Sequence, residues 1–333
     1  MKKRLLFFRI GAIGDVIQVL PTLKYAKEKD PDASVELITG CVMLEDLINR
    51  SCAFVDKVHI VKKEPKDSKS LMASLLDNPV EEFTYLHTNP IKGRLWNKFD
   101  IKAKKFNQFK KDISVSAQVN FTKAFDSGFS GELSNNTIWA EESIVIKSSK
   151  PYICIVLGVG QQRPHRAYPL EQWLSLIDLV LKKTDLRVKI LGGPEEAELS
   201  KDFDKAFHEE SLLSIASQQS DDEHYTQHVD NLIGKTNFLE LSQIIKNAKH
   251  IFSADTGLLH LADALDVPIT SVFSITNEKR TGPLSKTARV LRSETCECNP
   301  DMSNSQKKCS NLKNGYASCM WGIKPEELLT SLC

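Results

Sequence analysis

The stretch Asp255-Thr-Gly-Leu-Leu-His260 places a carboxylate, a hydroxyl, a glycine and an imidazole side by side after the apolar run His250-Ile-Phe-Ser-Ala254. Leu258, Leu259, Ala262 and Leu265 then recur at helical spacing, so the segment reads as strand, tight turn and helix. The first N–H groups of such a helix have no internal partners and attract anions. Asp255 and Thr256 are favourable helix-capping types, Gly257 lets a ligand approach the backbone, and His260 offers a ring N–H from the first turn. By itself the stretch is equally an ordinary strand-to-helix turn with a surface histidine.

A second turn of this kind strengthens the anion reading. Lys3-Arg-Leu-Leu-Phe-Phe-Arg-Ile10 is strand-like, Gly11-Ala-Ile-Gly-Asp15 is a glycine-punctuated loop, and Val16 to Lys29 has helical periodicity closed by Pro31. Asp15 is then either a plain helix-start acid or, at the end of a first strand where open parallel sheets bind ligands, a general base. Between these turns, Gly158-Val-Gly160 runs into Gln161-Gln-Arg-Pro-His-Arg166, a polar and basic loop ahead of a helix containing Trp173. A pyrophosphate suits that loop, and a solvated basic loop is the alternative.

The elements that must position these residues alternate strand and helix twice over. Strands are expected at Arg4 to Arg9, Ser34 to Thr39, Lys57 to Val61, Phe83 to His87 and Asp112 to Ala117. In the second half they are expected at Tyr152 to Leu157, Arg187 to Leu191, His250 to Ser253 and Ile269 to Phe273. This alternation predicts parallel sheets with helices on both faces, an α/β fold. A chain of 333 residues exceeds one usual core. Two domains are therefore expected, 1–150 and 151–333, with the boundary at the polar Lys147-Ser-Ser-Lys150 before Pro151. Asp126 to Asn136, rich in Gly, Ser and Asn, reads as a mobile loop.

Net charge is +1, which argues against a general nucleic-acid binder. Arg9 and Asp15 interrupt the opening apolar segment, and no small-residue cleavage site follows, so a cytoplasmic protein is expected. No run reaches the length of a membrane span, and any membrane contact is expected to be peripheral. Lys92, Arg94, Lys98, Lys102, Lys104, Lys105, Lys110 and Lys111 stand against a single acid, Asp100, between positions 92 and 111. That segment is either a solvated face or a recognition surface for an anionic glycolipid and a negatively charged membrane. Cys296, Cys298, Cys309 and Cys319 cluster near the end of the sequence. Their spacing matches no strong zinc pattern, so free thiols are favoured over structural zinc or a disulfide.

Taken together, the motifs resemble glycosyltransferase family 9, the ADP-heptose:lipopolysaccharide heptosyltransferases. The resemblance is carried by Arg9 to Leu23, Arg166 to Trp173, Leu191 to Glu196, Leu232 to Thr236, Ser253 to Pro268 and Val272 to Gly282, in the family's order and over essentially the whole chain. It implies a GT-B fold, two Rossmann-like domains with parallel sheets facing across a cleft. The first would bind the acceptor and the second the nucleotide sugar, with the last helix a candidate to pack back on the first. It implies Asp15 as base in a single inverting displacement, and a leaving pyrophosphate stabilised without a metal cofactor by Thr256, Gly257, His260 and Arg166, with Asp255 beside them. Glu196 matches the ribose-holding position and Thr236 the one whose backbone meets adenine.

The chain departs from the family where Gln161 and Gln162 replace small hydroxyl residues and Arg166 replaces lysine. Arginine still neutralises phosphate, but its bulk and planar fork make it a different ligand. The implied reaction moves heptose from ADP-L-glycero-D-manno-heptose to a Kdo or heptose acceptor of the lipopolysaccharide inner core, at the cytoplasmic face of the inner membrane. Arg94, Lys98, Lys104 and Lys105 are the candidate acceptor residues. A family 9 enzyme with another nucleotide sugar or acceptor, or a catalytically silent sugar-nucleotide-binding protein, are the alternatives. A Rossmann oxidoreductase fits less well, because Gly11-x-x-Gly14 lacks the G-x-G-x-x-G spacing.

Overall fold

The structure is a computed structural model. It describes residues 2–61, 79–86, 103–110, 112, 115–138, 150–160, 164–216, 227–294 and 309–332, with backbone alone for 164 and 210–216. The chain forms two compact units, Met1–Glu141 and Glu142–Cys333.

In the first unit β1 (Arg4–Phe8) carries Leu5, Leu6, Phe7 and Phe8, all buried, as a strand covered on both faces requires. It lies between β2 (Ser34–Thr39) and β4 (Val80–Tyr85), parallel to both, with Leu5 level with Val35 and Glu82. With β3 (Lys57–Ile60) and β5 (Ala103–Gln108) the sheet has the order β3-β2-β1-β4-β5. The order therefore reverses beside β1, the place where open parallel sheets leave a crevice beyond the carboxyl ends of the strands.

Three local expectations change. The helix expected from Val16 to Lys29 is two helices, α1 (Ile13–Ile17) and α2 (Leu20–Lys29), because Pro21 supplies no N–H and fits only a first turn. The fifth strand is not Asp112 to Ala117 but β5, and the fourth begins three residues earlier than expected. Ala117 instead opens α4 (Ala117–Phe125), following α3 (Glu45–Ser51), and Ser116 caps it by accepting the Val119 N–H at 3.3 Å. Asp126 to Asn136 lacks regular structure, yet α2 holds it: Tyr25 donates to Asp126 at 2.6 Å and Lys24 to the Asn136 carbonyl at 3.0 Å. Phe129 packs edge-on against Tyr25 at 4.9 Å between ring centroids.

The second unit contains β6 (Tyr152–Val156), α5 (Leu170–Lys183), β7 (Arg187–Leu191), α6 (Ala197–Ala216), β8 (Val229–Asn231), α7 (Phe238–Lys246), β9 (Ile251–Ala254), α8 (Gly257–Ala264), β10 (Ile269–Phe273), α9 (Glu278–Thr281) and β11 (Arg289–Arg292). Its parallel sheet has the order β11-β10-β9-β6-β7-β8, reversing between β6 and β9. β8 and β11 are short and were not expected from the sequence pattern. Trp173, Ile177, Val188, Phe203 and Phe252 build the core under α5 and α6. The hairpin of β12 (Leu312–Lys313) and β13 (Tyr316–Ala317) leads to α10 (Pro325–Leu329), which packs on α5 in the same unit. Among the described residues, no helix is long and apolar enough to cross a membrane.

Candidate active site

The loop after β6 and the turn after β9 meet at the switch point of the second sheet. Arg166 Nη1 donates to Asp255 Oδ2 at 2.7 Å, with both side chains largely buried. Asp255 therefore fixes Arg166 instead of capping α8. Thr256 occupies the cap position in extended geometry and accepts no bond with its side chain, so the Thr256 hydroxyl leaves the first amides of α8, from Gly257 onward, uncapped. His260, also buried, brings Nε2 to 4.0 Å from the other oxygen of Asp255. A largely buried cation, an uncapped helix start and an imidazole thus converge, a set of donors suited to phosphate oxygens.

Glu196 joins the neighbouring loops. Its Oε1 accepts the Gly160 N–H at 3.1 Å and its Oε2 the Gly193 N–H at 3.1 Å. Burial pushes its carboxyl up, against the opposing pull of those amides. A methyl group on Gly158 would lie 1.7 Å from Oε1, so the glycine makes room for the carboxylate. The Gly234 N–H bonds the Gly192 carbonyl at 3.1 Å, hanging the Thr236 turn on the same frame. Arg166, Glu196 and Thr236 hence lie along successive loops of one sheet edge, in the order of β6, β7 and β8. A cavity of about 210 Å³ beside Glu196 is lined by Gly158, Gly160, Tyr168, Trp173 and Tyr316. Gln161 and Gln162 lie outside the described residues.

Several supports were not singled out from sequence. Ser274, at the end of β10, donates to the His165 carbonyl at 2.9 Å and so braces the Arg166 loop. Asp263 on α8 accepts the Leu284 and Ser285 amides at 2.7 and 2.9 Å, and Arg292 holds the Ser274 and Thr276 carbonyls and Glu278. Asp263 and Ser274 fall inside motifs visible in the sequence, Ser253 to Pro268 and Val272 to Gly282, whereas Arg292 gave no local signal.

In the first unit, Asp15 follows the carboxyl end of β1. Oδ1 accepts from Arg9 Nη2 at 2.8 Å and Oδ2 from the Ala12 N–H at 3.0 Å. Its side chain remains 37% exposed. Lys104 and Lys105 are not brought to this edge. They start β5, where Lys105 is level with Glu82 and Leu5, and they pair with Glu81 at 2.9 Å and Glu82 at 2.7 Å. Arg94 and Lys98 lie outside the described residues. So do Cys296 and Cys298, whereas Cys309 and Cys319 are buried in the apolar core of the second unit. Among the described residues, no three side chains form a metal-ligating group.

Two Rossmann-like parallel sheets in one chain place the protein in the GT-B fold class. A profile of glycosyltransferase family 9 (heptosyltransferase) matches residues 97–312, and the chain belongs to that family. It is 22% identical over 192 residues to lipooligosaccharide heptosyltransferase 2 of Haemophilus influenzae, covering 58% of this chain and 49% of that one. With lipopolysaccharide heptosyltransferase 2 of Escherichia coli K12 the identity is 22% over 223 residues, covering 63% and 58%. The chain thus spans about half the length of the curated relatives it matches. Among solved structures, E. coli ADP-heptose lps heptosyltransferase II superposes with a TM-score of 0.74 at 18% identity, covering 99% of this chain and 97% of that one. E. coli heptosyltransferase WaaC with ADP gives 0.69 at 17%, covering 99% and 98%. The iron-containing dodecameric glycosyltransferase TibC of E. coli gives 0.61 at 14%, covering 100% and 76%.

Proposed function

We propose that the protein transfers heptose, with inversion, from ADP-L-glycero-D-manno-heptose to a Kdo or heptose acceptor of the lipopolysaccharide inner core. The observation that carries the reading is the largely buried Arg166, held by Asp255 beside the uncapped start of α8. Donor pyrophosphate would lie against the first amides of α8, Thr256, His260 and Arg166, with Glu196 toward the ribose and the Thr236 backbone toward adenine. Gln161 and Gln162 would flank the phosphates.

In the step itself the acceptor oxygen bonds to the anomeric carbon while the bond from that carbon to the β-phosphate oxygen breaks. Asp15 takes the acceptor proton, and ADP leaves with the electron pair. Charge accumulates on the departing phosphate, where preorganised amides and a fixed cation stabilise it more in the transition state than in the ground state. This assigns the neutralising role to the chain's own groups, with no metal cofactor. The acceptor is read as an anionic glycolipid precursor met by the basic segment 92–111, including Arg94 and Lys98, with peripheral contact to the cytoplasmic face of the inner membrane.

The departures at Gln161, Gln162 and Arg166 favour one second reading, a family 9 enzyme using another nucleotide sugar. Purified protein assayed with a panel of nucleotide sugars and truncated lipopolysaccharides, with and without EDTA, separates the two. Transfer from ADP-heptose alone, unaffected by the chelator, is expected. Turnover only with a different donor sinks the heptose assignment, and loss of activity in EDTA sinks the metal-free one. Asp15→Ala should lower transfer by about 10²- to 10⁴-fold with ADP affinity intact.

A further inference from the structure

We propose that Arg9 is the positioning residue of the Asp15 base, clamping its carboxylate in the orientation that accepts the acceptor proton; this rests on the base assignment above. Arg9 directly follows β1, and its own N–H bonds the Ile38 carbonyl at 3.0 Å, so the backbone that carries it is part of the sheet. Its guanidinium is spoken for on three sides. Nη1 donates to the Leu86 carbonyl at 2.7 Å, Nη2 to Asp15 Oδ1 at 2.8 Å, and the Phe121 ring lies 5.0 Å from the guanidinium carbon. The side chain is 11% exposed, against 37% for Asp15.

That asymmetry separates a clamp from an ordinary surface ion pair. Two exposed, mobile partners gain little from pairing. Here the cation is already desolvated and immobile, so the more exposed carboxylate must come to it. Oδ2 is held independently by the Ala12 N–H, which stops rotation of the carboxylate plane. Each oxygen keeps a second acceptor direction for a hydroxyl. Gly11 completes the arrangement: a methyl group there would stand 2.6 Å from both Cβ and Oδ2 of Asp15. Arginine is required because a planar fork reaches Leu86 and Asp15 at once, whereas an ammonium is a single point of charge. Leu86 directly follows β4, so one guanidinium ties the ends of the adjacent strands β1 and β4 to the base.

The test compares Arg9→Met, Arg9→Lys and Arg9→Ala with wild type in the full-length protein, using ADP calorimetry, melting curves and saturation kinetics. Arg9→Met should lower kcat by about 10²-fold, the order expected for a misplaced catalytic group, with ADP affinity and both KM values unchanged. Arg9→Lys should fall between it and wild type. Guanidinium chloride at non-denaturing concentration should restore turnover to Arg9→Ala, and the loss of kcat at unchanged ADP affinity and KM separates the clamp from a purely structural role. Wild-type kcat in Arg9→Met, or failure of guanidinium to restore any turnover, overturns the clamp. If the two deletions do not fold, Arg9→Lys decides: reduced kcat at intact ADP affinity supports the clamp, and wild-type kcat overturns it. Should Asp15→Ala itself stay active, the base reading fails instead, and the two failures are distinguished.

Discussion

Arg166 and Asp255, 89 positions apart in sequence, meet at 2.7 Å across the switch point of the second sheet. Because Asp255 is buried and Arg166 largely so, the pair is poorly solvated, and removing the arginine leaves a buried carboxylate without its main counter-charge. Arg166→Ala would leave a bare carboxylate facing the pyrophosphate. It should weaken ADP binding by about 10²-fold or more, whereas adding Asp255→Asn to it should recover about tenfold. Asp255→Ala alone should weaken binding too, by releasing the arginine from its geometry. Calorimetry on the complete double-mutant cycle checks this. Additive effects would mean that the two residues do not act as a unit.

Gly158 and Glu196 make a second coupled pair. A methyl group at 158 would overlap Oε1 at 1.7 Å, so Gly158→Ala must expel the carboxylate from between the Gly160 and Gly193 amides. The expected result is weaker ADP binding and a lower Tm, with a loss of about 1 to 3 kcal/mol from the unsatisfied amides and the strain. Shortening the intruding side chain should relieve the clash. Gly158→Ala/Glu196→Ala is therefore expected to melt above Gly158→Ala, and identical melting of the two would remove this account of the glycine.

Much of this frame was legible because its signals are local. The apolar run of β1, the glycine turns and the helical spacing of Leu258, Leu259 and Ala262 all lie within a few residues of one another. What was not legible depended on distant partners. β5 reads as a solvated lysine-rich stretch, Ala-Lys-Lys-Phe-Asn-Gln, and becomes a strand because Glu81 and Glu82 of β4 neutralise it. Asp255 looks like a helix cap until Arg166 is brought beside it. Arg9 looks like the end of a strand until Asp15 and Leu86 close on it.

Glu36 sets an acid limit on stability. Burial pushes its carboxyl up, but bonds from Arg4 at 2.7 and 2.9 Å and from His59 at 2.7 Å prevail and hold it down at about 2. A carboxyl depressed on folding stabilises the protein above its ordinary value of 4.5, and that contribution disappears as pH falls from there toward about 2. The contribution at neutral pH is of the order of 3 kcal/mol. Glu36→Gln should lower the Tm at pH 7 and flatten the dependence between pH 5 and pH 2, an interval of about three units around that titration. Urea melts across this range check it. An acid limb as steep in the variant as in wild type would place the titrating group elsewhere.

Lys104 and Lys105 discriminate between an acceptor surface and a sheet edge. If they met an anionic acceptor directly, reversing both to Glu would raise the acceptor KM, leave the donor KM alone, and lose its contrast with wild type as salt screens the native attraction. Their pairing with Glu81 and Glu82 predicts a different result. Reversal would line like charges across β4 and β5, and such facing pairs destabilise a sheet by up to about 1 kcal/mol each. Lys104→Glu/Lys105→Glu should therefore lower the Tm while leaving both KM values near wild type. Arg94→Glu/Lys98→Glu, in the stretch that follows Leu86, should raise the acceptor KM at low ionic strength. Saturation curves for both substrates, at low and moderate salt, together with melts of both variants, decide the matter. A raised acceptor KM for the Lys104 and Lys105 reversal with an unchanged Tm would return those lysines to the acceptor site.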